Sequence, residues 1–164
     1  MREMTYPRTW RWPDGQKMAM SVGLALEAFE RHSQFSTNTS AASRNKVNHF
    51  SLTYADYGWK VGVWRFLDLL ERHGLKANMS TSGLIAERHP KVVEAVYKAG
   101  HEINAHGWVN DVTADDDDME AERAEIRKCK KVITDATGAA PAGWTGPGST
   151  GSKNTLSILK NEGF

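Results

Sequence analysis

A histidine delivered to the tip of a short strand is the feature of this sequence best suited to chemistry. In the stretch Gly100-His101-Glu102-Ile103-Asn104-Ala105-His106-Gly107-Trp108, Ile103 and Ala105 point one way, Glu102 and Asn104 the other, and His106 arrives where the strand stops. The C-terminal lip of a parallel sheet is where α/β proteins bind ligands, which makes His106 a candidate functional group; a structural histidine stays open beside that reading. The other histidines are placed differently. His101 lies at the opposite end of the strand and reads as structural, His73 and His89 fall at helix ends, and His32 and His49 fall in a long loop, with His49 the one held in reserve for a site. The single cysteine, Cys129, excludes an intrachain disulfide framework and a thiolate zinc cluster. It sits in a helical pattern and reads as a small core residue. The acid run Asp115 to Asp118 reads as the solvated start of a helix rather than a metal site, because acids in a first turn are favoured by the macrodipole.

The elements that must position His106 follow from hydrophobic period and from stop signals. Residues 1–17 form an extended arm rich in Pro, Trp, Arg and Gly. Met18 to Leu26 is an apolar run that reads as the first buried strand. Residues 31–58 are polar and aperiodic, a loop long enough to serve as a lid or a partner-binding segment, with a tolerated insertion as the bland alternative. Val63, Phe66, Leu67 and Leu70 recur at helical spacing and stop at His73-Gly74. Leu75 to Ser80 reads as a second strand, followed by a short helical turn and a helix opened by Pro90 and closed by Gly100, with Val92, Val93, Val96 and Tyr97 as its stripe. His101 to Ala105 is the third strand. Ile126, Cys129, Ile133 and Ala136 mark the buried face of the next helix, which Gly138 ends. Ala140 to Trp144 reads as a fourth strand and Ser152 to Asn161 as a fourth helix ending at Gly163. Strand and helix alternate four times, which predicts an α/β fold with a parallel sheet and right-handed crossovers.

At 164 residues the chain suits one domain. Twenty-one lysines and arginines nearly balance twenty aspartates and glutamates, so no net field draws it to nucleic acid or anionic membrane, and neither partner is expected. There is no apolar run of a secretory signal and no stretch near the ~20 apolar residues of a membrane span, so a cytoplasmic location is the expectation.

Several segments, in order, are similar to the polysaccharide deacetylase superfamily, and within it to the allantoinase-like and cyclic-imide-hydrolase-like amidohydrolase branch. They are Trp12-Pro13-Asp14-Gly15 before the first strand, Tyr57-Gly58-Trp59-Lys60-Val61-Gly62-Val63-Trp64-Arg65 at the first helix, Gly100-His101-Glu102-Ile103 with His106-Gly107-Trp108, and Gly143-Trp144 with Pro147-Gly148. The resemblance implies a distorted parallel (β/α)7 barrel that hydrolyses a non-peptide C–N bond at its strand C-termini. It also implies a divalent metal held by an acid at the end of the first strand and by two histidines in an H-x-x-x-H motif, with a second acid as general base and a later histidine as general acid.

The carry-over is incomplete. Glu27 falls at the acidic ligand position, but Ala25 and Leu26 stand where a second acid is expected, and neither moves a proton. His106 matches the first histidine of the motif; four residues on stands Asn110, a neutral oxygen donor and poor zinc ligand, with Asp111 beside it. The resemblance therefore assigns Glu27 and His106 as catalytic residues and Glu27, His106 and Asp111 as the metal set, zinc if a metal is bound and no cofactor otherwise. Trp108 and Trp144 are expected to line one substrate pocket, with core filling as the alternative. Asn110 and Thr145 join them as substrate contacts, and the Thr145 to Ser149 loop offers backbone N–H groups to a developing oxyanion.

The resemblance covers the first four or so βα units, so the chain reads as a single partial domain over residues 1–164. A parallel sheet cut at its fourth strand exposes an edge and an apolar face. The expectation is a heteromer in which a second polypeptide supplies the C-terminal half of the barrel, with a homo-oligomer second and a truncated fragment third. The expected activity is hydrolysis of an amide, cyclic imide or ureide of small size; deacetylation of an N-acetyl sugar and a non-catalytic scaffold or binding subunit are the alternatives.

Overall fold

The computed structural model describes residues 12–29, 53–54, 56–110 and 114–164. Four short strands, β1 (Gly23–Leu26), β2 (Asn78–Thr81), β3 (Glu102–Ala105) and β4 (Gly143–Trp144), form one parallel sheet in the order β1-β2-β3-β4. The connections carry α1 (Val63–Arg72), α2 (Gly83–Arg88), α3 (Pro90–Lys98) and α4 (Met119–Thr137), and α5 (Thr155–Asn161) follows β4. A π-helical turn at Gly58–Gly62 leads into α1. The α/β class, the parallel sheet and the alternating order are as the periodicity predicts.

Each strand is shorter than its apolar run. Met18 to Leu26 was expected as one strand, yet pairing starts only at Gly23, opposite Asn78, and Met18 and Met20 are 77% and 75% exposed. Apolar composition marks a segment that can be buried; hydrogen bonding to a neighbour decides where a strand begins. Tyr97, predicted in the stripe of α3, is exposed, whereas Val92, Val93 and Val96 are buried.

The helix ends follow local chemistry. Asp118 caps α4 by accepting the Ala121 N–H at 2.9 Å, and Gly138 closes it with φ 79°. Asp116 accepts the Lys153 N–H at 2.8 Å and Asp117 meets the Lys153 ammonium at 3.3 Å. The acid run thus serves a helix start and the packing of the α5 approach. Between α4 and α5, buried Glu122 accepts hydrogen bonds from the Ser152 and Thr155 hydroxyls.

The two faces of the sheet differ in kind. Leu26, Met79, Ile103 and Ala105 face the helices and join Val63, Leu70, Ile85, Val93, Val96, Cys129 and Ile133 in the core. Each Val, Leu, Ile and Met among them contributes about 1.5–3 kcal/mol on burial. The opposite face is polar. Asn78 donates to Glu102, Asn104 Nδ2 donates to Asn78 Oδ1 at 3.0 Å, and Ser80 and Thr145 hydroxyls lie 3.1 Å apart. No helix among the described residues is long and apolar enough to cross a membrane.

Candidate active site

Strand register builds the site. Leu26, Thr81, Ala105 and Trp144 are aligned across the sheet. The next residue of each strand, Glu27, Ser82, His106 and Thr145, therefore stands in a row along the C-terminal lip, with the side-chain parity of the polar face. Ser82 turns to structure: its hydroxyl accepts the Ala28 N–H at 3.0 Å. The other three converge. Glu27 Oε1 lies 3.1 Å from His106 Nε2, and His106 Nδ1 lies 2.8 Å from the Thr145 carbonyl oxygen.

A carbonyl oxygen only accepts, so Nδ1 carries the proton in that contact and Nε2 is directed at Glu27. His106 is 5% exposed. The hydrogen bond to Glu27 raises its pKa above the ordinary value, burial opposes this, and the Thr145 carbonyl, the Glu27 charge and the Asn110 side chain all add to the rise. Folded His106 is a stronger base than a free imidazole, and with both nitrogens facing oxygen acceptors its protonated form makes an ion pair with Glu27.

The loop carrying His106 is closely tied. His106 N–H donates to Thr81 O at 3.0 Å, Gly83 N–H to Gly107 O at 2.8 Å and Leu84 N–H to Trp108 O at 3.0 Å. Gly107 has φ 59°, and a Cβ there would lie 2.3 Å from Pro147 Cγ. Asn110 Oδ1 accepts the Gly148 N–H at 2.9 Å, linking this loop to the one after β4.

The two tryptophans do not share a pocket. Trp144 is in register with Ala105, one residue before the lip, so its ring turns toward the helix layer and packs edge-on against Phe164 with centroids 5.9 Å apart. Trp108 has the parity of His106, but the positive φ of Gly107 turns the chain over. Its ring rests on Gly83 and under the Lys128 ammonium, 3.2 Å from the ring centroid. An aromatic wall does exist, built from other residues: an open cavity of about 610 Å³ beside Glu27 is lined by Phe29, Tyr54, Tyr57, Thr53 and Ala25. Phe29 two residues past Glu27 and the Tyr54/Tyr57 pair at i, i+3 before Gly58 were its sequence signals.

The expected oxyanion donors are largely engaged. Thr145 N–H donates to Ala105 O, Gly148 N–H to Asn110 and Ser149 N–H to Gly146 O, and Pro147 has no N–H. Thr145 contributes its carbonyl instead. His101 is structural as expected: its Nδ1 accepts the Ala77 N–H at 3.2 Å. Cys129 is buried, donates to Gly107 O at 3.2 Å, and burial pushes its thiol up to about 12, which suits a core residue and not a nucleophile. On α4, burial holds the Glu125 carboxyl above its ordinary range, while the Trp108 N–H it accepts at 3.1 Å pulls the other way.

Glu27 and His106 fit two corners of a metal site. Two donors at ~2.0–2.1 Å from a tetrahedral ion are about 3.3 Å apart, close to the 3.1 Å between Glu27 Oε1 and His106 Nε2. The Nδ1 contact to a carbonyl is also the outer support that metal-binding histidines use. Among the described residues there is no group of three or more His, Cys, Asp and Glu able to hold an ion. Asn110 spends its oxygen on Gly148, and Asp111 lies outside the described residues, as do Glu30, His32, His49, most of the long loop and the first eleven residues of the arm.

The chain shares 30% identity over 110 residues with a peptidoglycan deacetylase of Helicobacter pylori, covering 66% of this chain and 36% of that protein. Among solved structures, Puue allantoinase superposes with a TM-score of 0.77 at 29% identity, over 93% of this chain and 53% of that one. A family 4 acetyl xylan esterase of Clostridium thermocellum, in complex with a cobalt ion, shares the fold at TM-score 0.53 and 24% identity, over 60% of this chain and 48% of that one. The chain thus spans about a third of the curated relative's length and about half that of the structures. The sequence pattern of the family described as polysaccharide deacetylase matches residues 42–164, three quarters of the sequence. The chain belongs to the polysaccharide deacetylase family.

Proposed function

We propose that this chain carries the Glu27–His106 wall of a hydrolase that cleaves the C–N bond of a small amide, cyclic imide or ureide. The observation that carries the reading is the lip row itself: a carboxylate opening onto a cavity, bonded to a histidine whose far nitrogen is held by a backbone carbonyl. Glu27 takes a proton from the attacking water as its oxygen bonds to the carbonyl carbon. Protonated His106, whose Nε2–H faces the same point, steadies the charge that develops on the carbonyl oxygen. The C–N bond then breaks, and the leaving nitrogen receives its proton from a donor on the complementary wall.

In the alternative form of the site, a divalent ion, zinc by the chemistry of the donors, would be held by Glu27 and His106 in place of their direct contact, with Asp111 as the third protein donor we assign. Glu27 would then be a ligand and not the base, and the ion would supply the polarisation of the carbonyl. Supporting the complementary wall, the structural relatives are about twice as long. We assign that wall to residues outside these 164.

Replacing Glu27 with Gln is expected to abolish turnover of a ureide or cyclic imide by the completed assembly while the fold persists; retained turnover removes Glu27 from the mechanism. A second reading, deacetylation of an N-acetyl sugar, is favoured by the peptidoglycan deacetylase relative. Parallel assays on N-acetyl chito-oligomers and on cyclic ureides separate the two.

A further inference from the structure

We infer that Glu125, a residue of α4 outside the lip row, is a positioning residue that sets the place of His106 through the Trp108 backbone. This rests on the reading of His106 as a functional group. The geometry is a clamp around three residues. Gly107 O takes two donors, the Gly83 N–H at 2.8 Å and the Cys129 thiol at 3.2 Å. The Trp108 N–H points the other way, into the helix layer, where Glu125 Oε1 accepts it at 3.1 Å.

No strand neighbour is available for that N–H, because the positive φ of Gly107 has already turned the chain off the sheet. The Trp108 N–H is partly buried, and such a donor without an acceptor is costly, so the loop would rotate to find one. Gly107 is packed between Pro147 and Glu125, and a Cβ on it would lie 3.4 Å from Glu125 Oε1. A rotation there is transmitted one residue back, to His106, whose ring must meet Glu27 and Thr145 on opposite sides. The other groups around the clamp belong elsewhere: Glu122 is bonded to Ser152 and Thr155, and Lys128 lies over the Trp108 ring.

The test uses the full chain with Glu125→Ala and Glu125→Gln, at one pH. Its readouts are the nitrogen and proton signals of the His106 ring and the hydrogen exchange of the Trp108 amide. With Ala, the His106 signals are expected to shift and Trp108 exchange to accelerate by about tenfold or more. With Gln, whose amide oxygen still accepts, both are expected to stay near wild type. Should the Ala variant fail to fold, Glu125→Asp, too short to reach Trp108, is expected to shift the His106 signals. Unmoved His106 signals in a folded Ala or Asp variant, or a Gln variant that behaves like Ala, overturns the proposal. Because neither readout uses turnover, failure here is distinguishable from failure of the hydrolytic reading, which Glu27→Gln tests.

Discussion

Glu27 and His106 face each other across 3.1 Å, yet the chain around them is built differently. On the β3 side, His106, Gly107 and Val109 are buried, the backbone of 106–108 is bonded to β2, to the start of α2 and to α4, and the ring is held at both nitrogens. On the β1 side, the approach to Glu27 runs through exposed Met18 and Met20, Leu24 and Ala28 are only partly buried, and the Glu27 side chain keeps 22% of its surface open beside the cavity. The difference teaches a division of labour. The histidine is preorganised by the fold, and the carboxylate is the group free to respond to what enters.

That contrast can be broken by substitution. The largest effect is expected at Gly107→Ala, where a positive φ and the contact with Pro147 together cost about 3 kcal/mol or more in urea unfolding; a variant of wild-type stability would mean the loop relaxes freely. Next come two core truncations compared directly. Ile103→Ala on β3 is expected to cost about 3 kcal/mol and Leu24→Ala on β1 about half of that, since only the former is fully enclosed. Equal losses would erase the distinction between the two sides. Smallest is Met20→Ala, expected within about 0.5 kcal/mol because the side chain is 75% exposed.

Much of this arrangement was legible in the residues. Alternation around Ile103 and Ala105 puts His106 at the lip, and the Pro90, Gly100, Asp118 and Gly138 signals bracket their helices because capping is local chemistry. Trp144 could have been assigned to the helix layer from parity alone once its register with Ala105 was known, but register is a property of two strands and is not written in one. Trp108 was harder. Its direction depends on the backbone sign at Gly107, which glycine permits but does not demand. The Tyr57 wall of the cavity comes from a helical turn distant in sequence from Glu27, and no period of either segment brings them together. The α4 acids Glu122 and Glu125 stand one helical turn before Ile126 and Cys129 and so share the packed face, but what covers them, the Trp108 loop and the α5 approach, comes from other segments.

The ion pair also predicts a pH dependence. The pKa of His106 is raised in the folded state, chiefly by Glu27, so the charged form is favoured on folding. The stability this contributes is fully present below the unfolded histidine value of about 6.5 and is lost as pH rises through the folded value. The most direct measurement is the NMR titration of the His106 ring in the wild-type chain and in Glu27→Gln. The expected result is a wild-type midpoint above the ordinary histidine value that falls in the variant, with the Nδ1 proton retained toward Thr145 throughout. Superimposable titrations of the two proteins would contradict the claim that Glu27 and His106 act as one pair.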